Sequence, residues 1–231
     1  STPKPSSAAS DVYKRQEYNK ACFKMQSHFL NMTACCQLLT DILESRKDVV
    51  HLSNPYQKCP VYETSSFLLR LVQLDDAKDL LACYSDRRAV ANMNADCCTS
   101  DFYYETLTQM QECIRFWLRE YQQQAYIRFA IIDKTVKKAV GTAEIFGGTL
   151  GGGLSGFGVL RIDLALPYET APLLNEIVSL AANRWMPDFA ISILYTKAGH
   201  TKARIPVLEK HGFTASDTFR PGMGYYEKQQ I

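Results

Sequence analysis

Downstream of Phe67 the apolar residues switch repeatedly between a period of two and a period of three to four, and each switch marks a new short element. Residues 67–72 read as a strand, and Asp75 then opens a helix as its N-cap, running to about Tyr84. A second helix is expected over 101–121, with Phe102, Leu107, Met110, Ile114, Trp117 and Leu118 as its apolar positions. Residues 126–132 and 140–146 alternate as strands around the charged turn 133–138, a hairpin pattern. Then come a strand at 159–166, a helix at 173–185, a strand at 189–195 and a helix at 201–211. A hairpin of 213–219 with 225–228, turning at Arg220-Pro221-Gly222, closes the chain.

Upstream the pattern differs. Residues 1–16 are rich in Ser, Pro and Ala with almost nothing to bury, and are set aside as a disordered or artefactual tail. Residues 17–52 form an amphipathic helical extension: Cys22, Met25, Phe29, Met32, Cys36, Leu39 and Leu43 recur at steps of three and four. Such a stripe serves either a homodimer through a coiled coil or docking on the main domain. Residues 53–66, polar and carrying Pro55 and Pro60, read as a linker. The main domain is then 67–231.

Composition narrows the function classes. Apolar residues make up 46% of the chain and charged residues 22%, enough for a sizeable core, and the formal charge is only +2. A dedicated nucleic-acid binder needs a strongly basic face, so no nucleic-acid partner is expected. No apolar run is long enough to span a membrane, and no secretory apolar core stands at the N-terminus; a cytoplasmic protein without a membrane partner is the expectation. The eight cysteines include the adjacent pairs Cys35-Cys36 and Cys97-Cys98 in place of a C-x-x-C zinc spacing. They read as reduced, small apolar residues, with no metal site.

The order of elements, together with four local strings, resembles the GNAT N-acetyltransferase superfamily. The strings FLLRLVQLDDAKDLLACYSD from Phe67, FAIIDKTVKKAVGTAEIF from Phe129, GVLRIDLALP from Gly158 and VLEKHGF from Val207 are similar to its first strand and helix, central hairpin, pantetheine-binding strand and C-terminal helix. In the last string, Gly212 is placed to end a helix at positive φ. The resemblance covers 67–231. It implies an α/β (α+β) fold: a mixed, mostly antiparallel central sheet flanked by helices, here with the added N-terminal helix.

The resemblance also implies an activity, acyl-CoA-dependent transfer of an acetyl group to an amine. Acetyl-CoA would be the cosubstrate, and a small molecule or peptide the acceptor. Backbone amides near Leu164, Ala165 and Leu166 would polarise the thioester. The segment from Tyr168 through Thr170 and Ala171 corresponds to the loop and helix start that receive the CoA pyrophosphate. The family has glycines and basic residues there; this chain has Pro167-Tyr168-Glu169-Thr170-Ala171-Pro172. His200, Lys202 and Arg204, with Lys197, form a basic cluster that serves the CoA phosphates or is a solvated helix end. Glu144 is the first candidate for the base and Asp163 the second; for Glu144 the competing reading is a solvated strand residue, with Ala143 and Ile145 facing the core. Leu208 stands where many members place a proton-donating tyrosine. These departures leave an alternative open, a GNAT-like interaction module that has lost acetyl-CoA binding. The glycine-rich stretch 147–158 fits G-x-G-x-x-G, but a strand follows it where a nucleotide loop needs a helix, so it reads as a hairpin loop.

Overall fold

The computed structural model describes residues 54–96, 98, 100–147, 156–199 and 201–230. Asn54–Asn94 and Asp101–Ile231 form one unit, and the architecture below is that unit's. The tail, the N-terminal amphipathic helix with its dimer or docking role, and residues 148–155 of the glycine-rich stretch lie outside the described residues.

The strands are β1 (Tyr62–Glu63), β2 (Phe67–Leu71), β3 (Tyr126–Asp133), β4 (Lys138–Gly147), β5 (Phe157–Leu164), β6 (Ile193–Lys197), β7 (Thr214–Ala215) and β8 (Tyr225–Gln229). They form one eight-stranded sheet in the order β1-β2-β3-β4-β5-β6-β8-β7. Among the described residues every pairing is antiparallel except that of β5 with β6. The longer helices are α1 (Ala77–Tyr84), α2 (Leu107–Gln122), α3 (Ala171–Leu180) and α4 (Arg204–Lys210). No helix among the described residues is long and apolar enough to cross a membrane.

The central strands are buried on both faces, and alternation sorts their side chains. One face carries Ile127, Phe129, Ile131, Ala143, Ile145, Leu160 and Ile162, in one core with Leu174, Ile177, Val178 and Trp185 after β5 and with Val207 and Leu208 of α4. Phe129 stacks on Trp185 at 4.9 Å between ring centroids. The other face lies under α1 and α2 and carries Arg128, Thr142, Glu144 and Asp163, all buried. Gly212 ends α4 with φ of +78°, as the VLEKHGF string requires.

Several expected boundaries move. The stretch read as a linker supplies β1 and two buried tyrosines, Tyr56 and Tyr62. Tyr62 donates to Asp188 at 2.9 Å and lies against Phe129, so polar composition there conceals two apolar anchors. The first helix is entered through a 3-10 turn, Leu74–Asp76, and Asp76 rather than Asp75 does the capping: its carboxylate accepts from Gln73 N–H at 2.7 Å and from Arg70. Helix α2 starts at Leu107 behind a Thr106/Gln109 capping box, and Phe102 is a buried loop residue at φ of +61°. Strand β6 begins at Ile193; Phe189 and Ile191 are core residues in the preceding turn.

Candidate active site

The site is built by the one parallel pair. β5 and β6 are in register from Phe157 opposite Ile193 to Leu160 opposite Thr196, and there the pairing stops. Thr196 Oγ1 donates to the Leu160 carbonyl at 3.0 Å, at the point of separation. β5 continues through Arg161, Ile162, Asp163 and Leu164 without β6 beside it. A fork results, and backbone carbonyls on its β5 side need donors from elsewhere, because a buried unpaired carbonyl is costly.

Arg204 supplies one. The residue is 4% exposed, and Nη2 donates to the Ile162 carbonyl at 2.8 Å. The same guanidinium pairs with Glu169: Nε donates to Oε2 at 3.2 Å and Nη2 to Oε1. Thr201 Oγ1 also donates to Glu169 Oε2, at 3.3 Å. A cavity of about 10 Å³ lies in the fork, lined by Ile162, Leu174, Val178, Thr196, Lys197, Arg204, Val207 and Leu208. That is room for about one water molecule.

The residues after β5 follow a tight path. Ala165 N–H donates to the Val140 carbonyl at 2.8 Å, and Leu164 is paired with Gly141 in the β4–β5 ladder. Leu166 N–H finds no acceptor among the described residues. A 3-10 turn, Leu166–Tyr168, leads to Thr170, which occupies the N-cap of α3 but makes no side-chain cap bond. Leu174 N–H is already bonded to the Thr170 carbonyl, and Pro172 has no N–H, so Ala171 and Leu173 hold the remaining first-turn donors. Tyr168 turns away: its hydroxyl donates to Asp133 Oδ2 at 2.8 Å, and burial raises its pKa to about 12 with the help of that carboxylate.

The members of the expected basic cluster differ in placement: Lys197 and Arg204 line the cavity. Arg204 points inward and is not solvated, whereas Lys202 is exposed in the turn before α4, and His200 lies outside the described residues. Arg204 is buried because Glu169 offers it a counter-charge and Ile162 an acceptor.

Glu144 and Asp163 are brought into one buried network. Arg128 lies opposite Glu144 across the β3–β4 ladder, and Arg161 lies opposite Glu144 across β4–β5. Arg128 Nε donates to Glu144 Oε2 at 3.0 Å, and Arg161 Nη1 to Oε1 at 2.8 Å. Arg128 Nη1 donates to Asp163 Oδ2 at 2.7 Å, and the Tyr84 hydroxyl to the same oxygen at 2.9 Å. Burial and the Asp163 charge push the Tyr84 phenol well above its ordinary pKa, so it remains a donor. Trp117 covers the Arg128 guanidinium at 4.4 Å. Two cations thus face two anions. Glu144 is sealed beneath the helices, which corrects the expectation of a solvated strand position; Ala143 and Ile145 do face the core. Asp163 differs from it in one respect: Oδ1 is buried with no hydrogen-bond partner among the described residues.

Sequence reasoning missed Glu169, Ile162 and Tyr84. In the sequence Glu169 reads as a negative charge in the phosphate loop; that it partners Arg204 is a tertiary fact.

No family model and no curated protein sequence matches the chain. Solved structures do. A putative ribosomal-protein-serine acetyltransferase from Vibrio cholerae matches with TM-score 0.56 and 10% identity, over 74% of this chain and 98% of that one. A GNAT-family acetyltransferase from Bacillus anthracis matches with TM-score 0.55 and 11% identity, over 74% and 98%. The microcin C7 self-immunity acetyltransferase, solved with acetyl-CoA and AMP, matches with TM-score 0.57 and 11% identity, over 72% and 94%. At such identities the likeness establishes the fold, and the fold is that of the GNAT acetyltransferases.

Proposed function

We propose that this GNAT-fold chain is an acyl-CoA-dependent N-acyltransferase that moves an acetyl group from acetyl-CoA to an amine of a small molecule or peptide, in the cytoplasm. The observation that carries the reading is the fork: the sheet's one parallel pair separates after Leu160 and Thr196, and β5 runs on to the turn that starts α3. An extended, amide-bearing arm fits such a fork because the β5 carbonyls there lack strand partners. The structural likeness to acetyltransferases, one of them solved with acetyl-CoA, supports the same reading.

In this reading the residues divide the work as follows. The Ile162 carbonyl accepts an amide N–H of the pantetheine arm, and the Ala171 and Leu173 N–H groups face the pyrophosphate at the positive end of α3. Leu166 N–H polarises the thioester carbonyl and holds the oxyanion when the amine attacks. Of the two carboxylates, Asp163, itself buried, takes the amine proton through a water, because one of its oxygens is without a hydrogen bond among the described residues while Glu144 is occupied by two arginines. Leu208 gives no proton to the departing thiolate.

A second reading, a GNAT-like module without cosubstrate, draws on one observation: Arg204 and Glu169 fill the fork. A thermal-shift titration separates the two, since a ligand that binds only the folded state stabilises it by mass action. The enzyme reading expects a saturable rise in Tm with acetyl-CoA, and thiol release once an amine acceptor is supplied. No rise at millimolar acetyl-CoA or longer acyl-CoAs would leave the module reading standing.

A further inference from the structure

The Arg204–Glu169 pair sits where the proposed cosubstrate must lie, and the inference that follows rests on that reading. Arg204 does for β5 what a pantetheine amide would do: it donates to the Ile162 carbonyl, inside the fork, at 2.8 Å. With the side chain in place, the cavity between Ile162, Leu174, Thr196 and Leu208 is about 10 Å³, room for about one water molecule.

The donor is a long side chain and not a neighbouring strand, so it can be withdrawn without unzipping the sheet. Withdrawal alone is costly. It leaves the Ile162 carbonyl without a donor and separates a buried guanidinium from a buried carboxylate. A ligand that supplies both replacements removes that cost: an amide N–H for the Ile162 carbonyl, and an anion for Arg204. CoA carries amides along its arm and phosphates at its end. The segment Leu166–Thr170, which bears Glu169, also forms the entry to α3, where the pyrophosphate is expected. Glu169 and the pyrophosphate therefore compete for the same cation.

We infer that Arg204 and Glu169 form a plug that the cosubstrate displaces: Arg204 exchanges Glu169 and the Ile162 carbonyl for the CoA phosphates, and Glu169 sets how weakly the free protein binds acyl-CoA. The device selects for ligands having both an amide arm and a phosphate end, because neither part alone replaces both of Arg204's contacts.

The test is calorimetric titration of the full chain with acetyl-CoA, compared with Glu169→Gln, which keeps the side-chain shape and removes the competing charge. The plug requires Glu169→Gln to bind acetyl-CoA at least about tenfold more tightly, a difference of about 1.4 kcal/mol. Binding by the unaltered chain with equal or weaker binding by a folded Glu169→Gln would overturn the plug and leave the acyltransferase reading intact. Binding by neither would overturn both. Should Glu169→Gln fail to fold, the unaltered chain decides alone: the Arg204 Nε–H resonance must move as acetyl-CoA saturates the protein, and a stationary resonance under saturation would overturn the exchange.

Discussion

Arg128 and Glu144 face each other directly across the β3–β4 ladder, each 1% exposed, with Arg128 Nε donating to Glu144 Oε2 at 3.0 Å. Asp163 is tied to the same guanidinium. Removing the arginine takes the cation from buried Asp163 and leaves Glu144 with Arg161 alone, and the loss of one partner in such a site costs about 3–5 kcal/mol. Arg128→Met is accordingly expected to lower unfolding free energy in urea by that amount. Arg128→Lys should recover little of it, because one ammonium cannot present the fork that reaches Glu144 and Asp163 together. A loss below about 1 kcal/mol for Arg128→Met would contradict the network's role.

The two carboxylates should separate by kind of effect. Asp163→Asn is expected to lower kcat by about 10²- to 10⁴-fold, the usual range for removal of a general base. Glu144→Gln is expected to act first on stability, by about 1–3 kcal/mol, with the turnover of the folded protein changed much less. Steady-state kinetics and urea unfolding on the same preparations check both; a larger kcat loss for Glu144→Gln would reverse the assignment.

His211 gives the acid side of the stability curve a defined contribution. Desolvation, then the charges of Lys210 and Lys228, hold its pKa below the ordinary 6.5, while the ring bonds with Asn175 Oδ1 at 3.1 Å. The unfolded chain therefore takes up the proton first as pH falls. The contribution is fully present above 6.5 and is lost progressively as pH drops from there toward the lowered folded value. Urea unfolding between pH 7 and 5 should show a shallower decline for His211→Gln. An unchanged slope would contradict the assignment.

Gly212 carries φ of +78° at the end of α4, and an added Cβ would meet only the Nζ of Lys228, at 3.2 Å. The cost of Gly212→Ala is therefore mainly backbone, about 1–2 kcal/mol. Urea unfolding would refute this if the variant were as stable as the parent.

These features were unequally legible in the sequence. The β3–β4 hairpin, β5 and the end of α4 follow from alternation and from Gly212, which are local signals. The edge strand β1 did not, because its pairing with β2 and the burial of Tyr62 are tertiary facts hidden in a polar stretch. Phe189 and Ile191 imitated a strand because a buried turn, with Ala190 at φ of +51°, has the same apolar content. Arg128, Glu144, Arg161 and Asp163 were visible as polar residues at alternating positions, but that α1 and α2 cover them was not. Arg204 reads in the sequence as part of a basic cluster that serves the CoA phosphates or is a solvated helix end. Its burial depends on Glu169, 35 residues earlier, and on an acceptor that exists only because β5 and β6 part.

The central claim is that the fork between β5 and β6 receives acyl-CoA, and amide resonances of isotope-labelled protein titrated with acetyl-CoA test it most directly. Ile162, Leu166, Ala171, Leu173 and Thr196 should shift together and saturably, while Tyr62 and Glu63 on the far edge stay still. No saturable shift at millimolar acetyl-CoA, or shifts confined to residues away from the fork, would contradict the account.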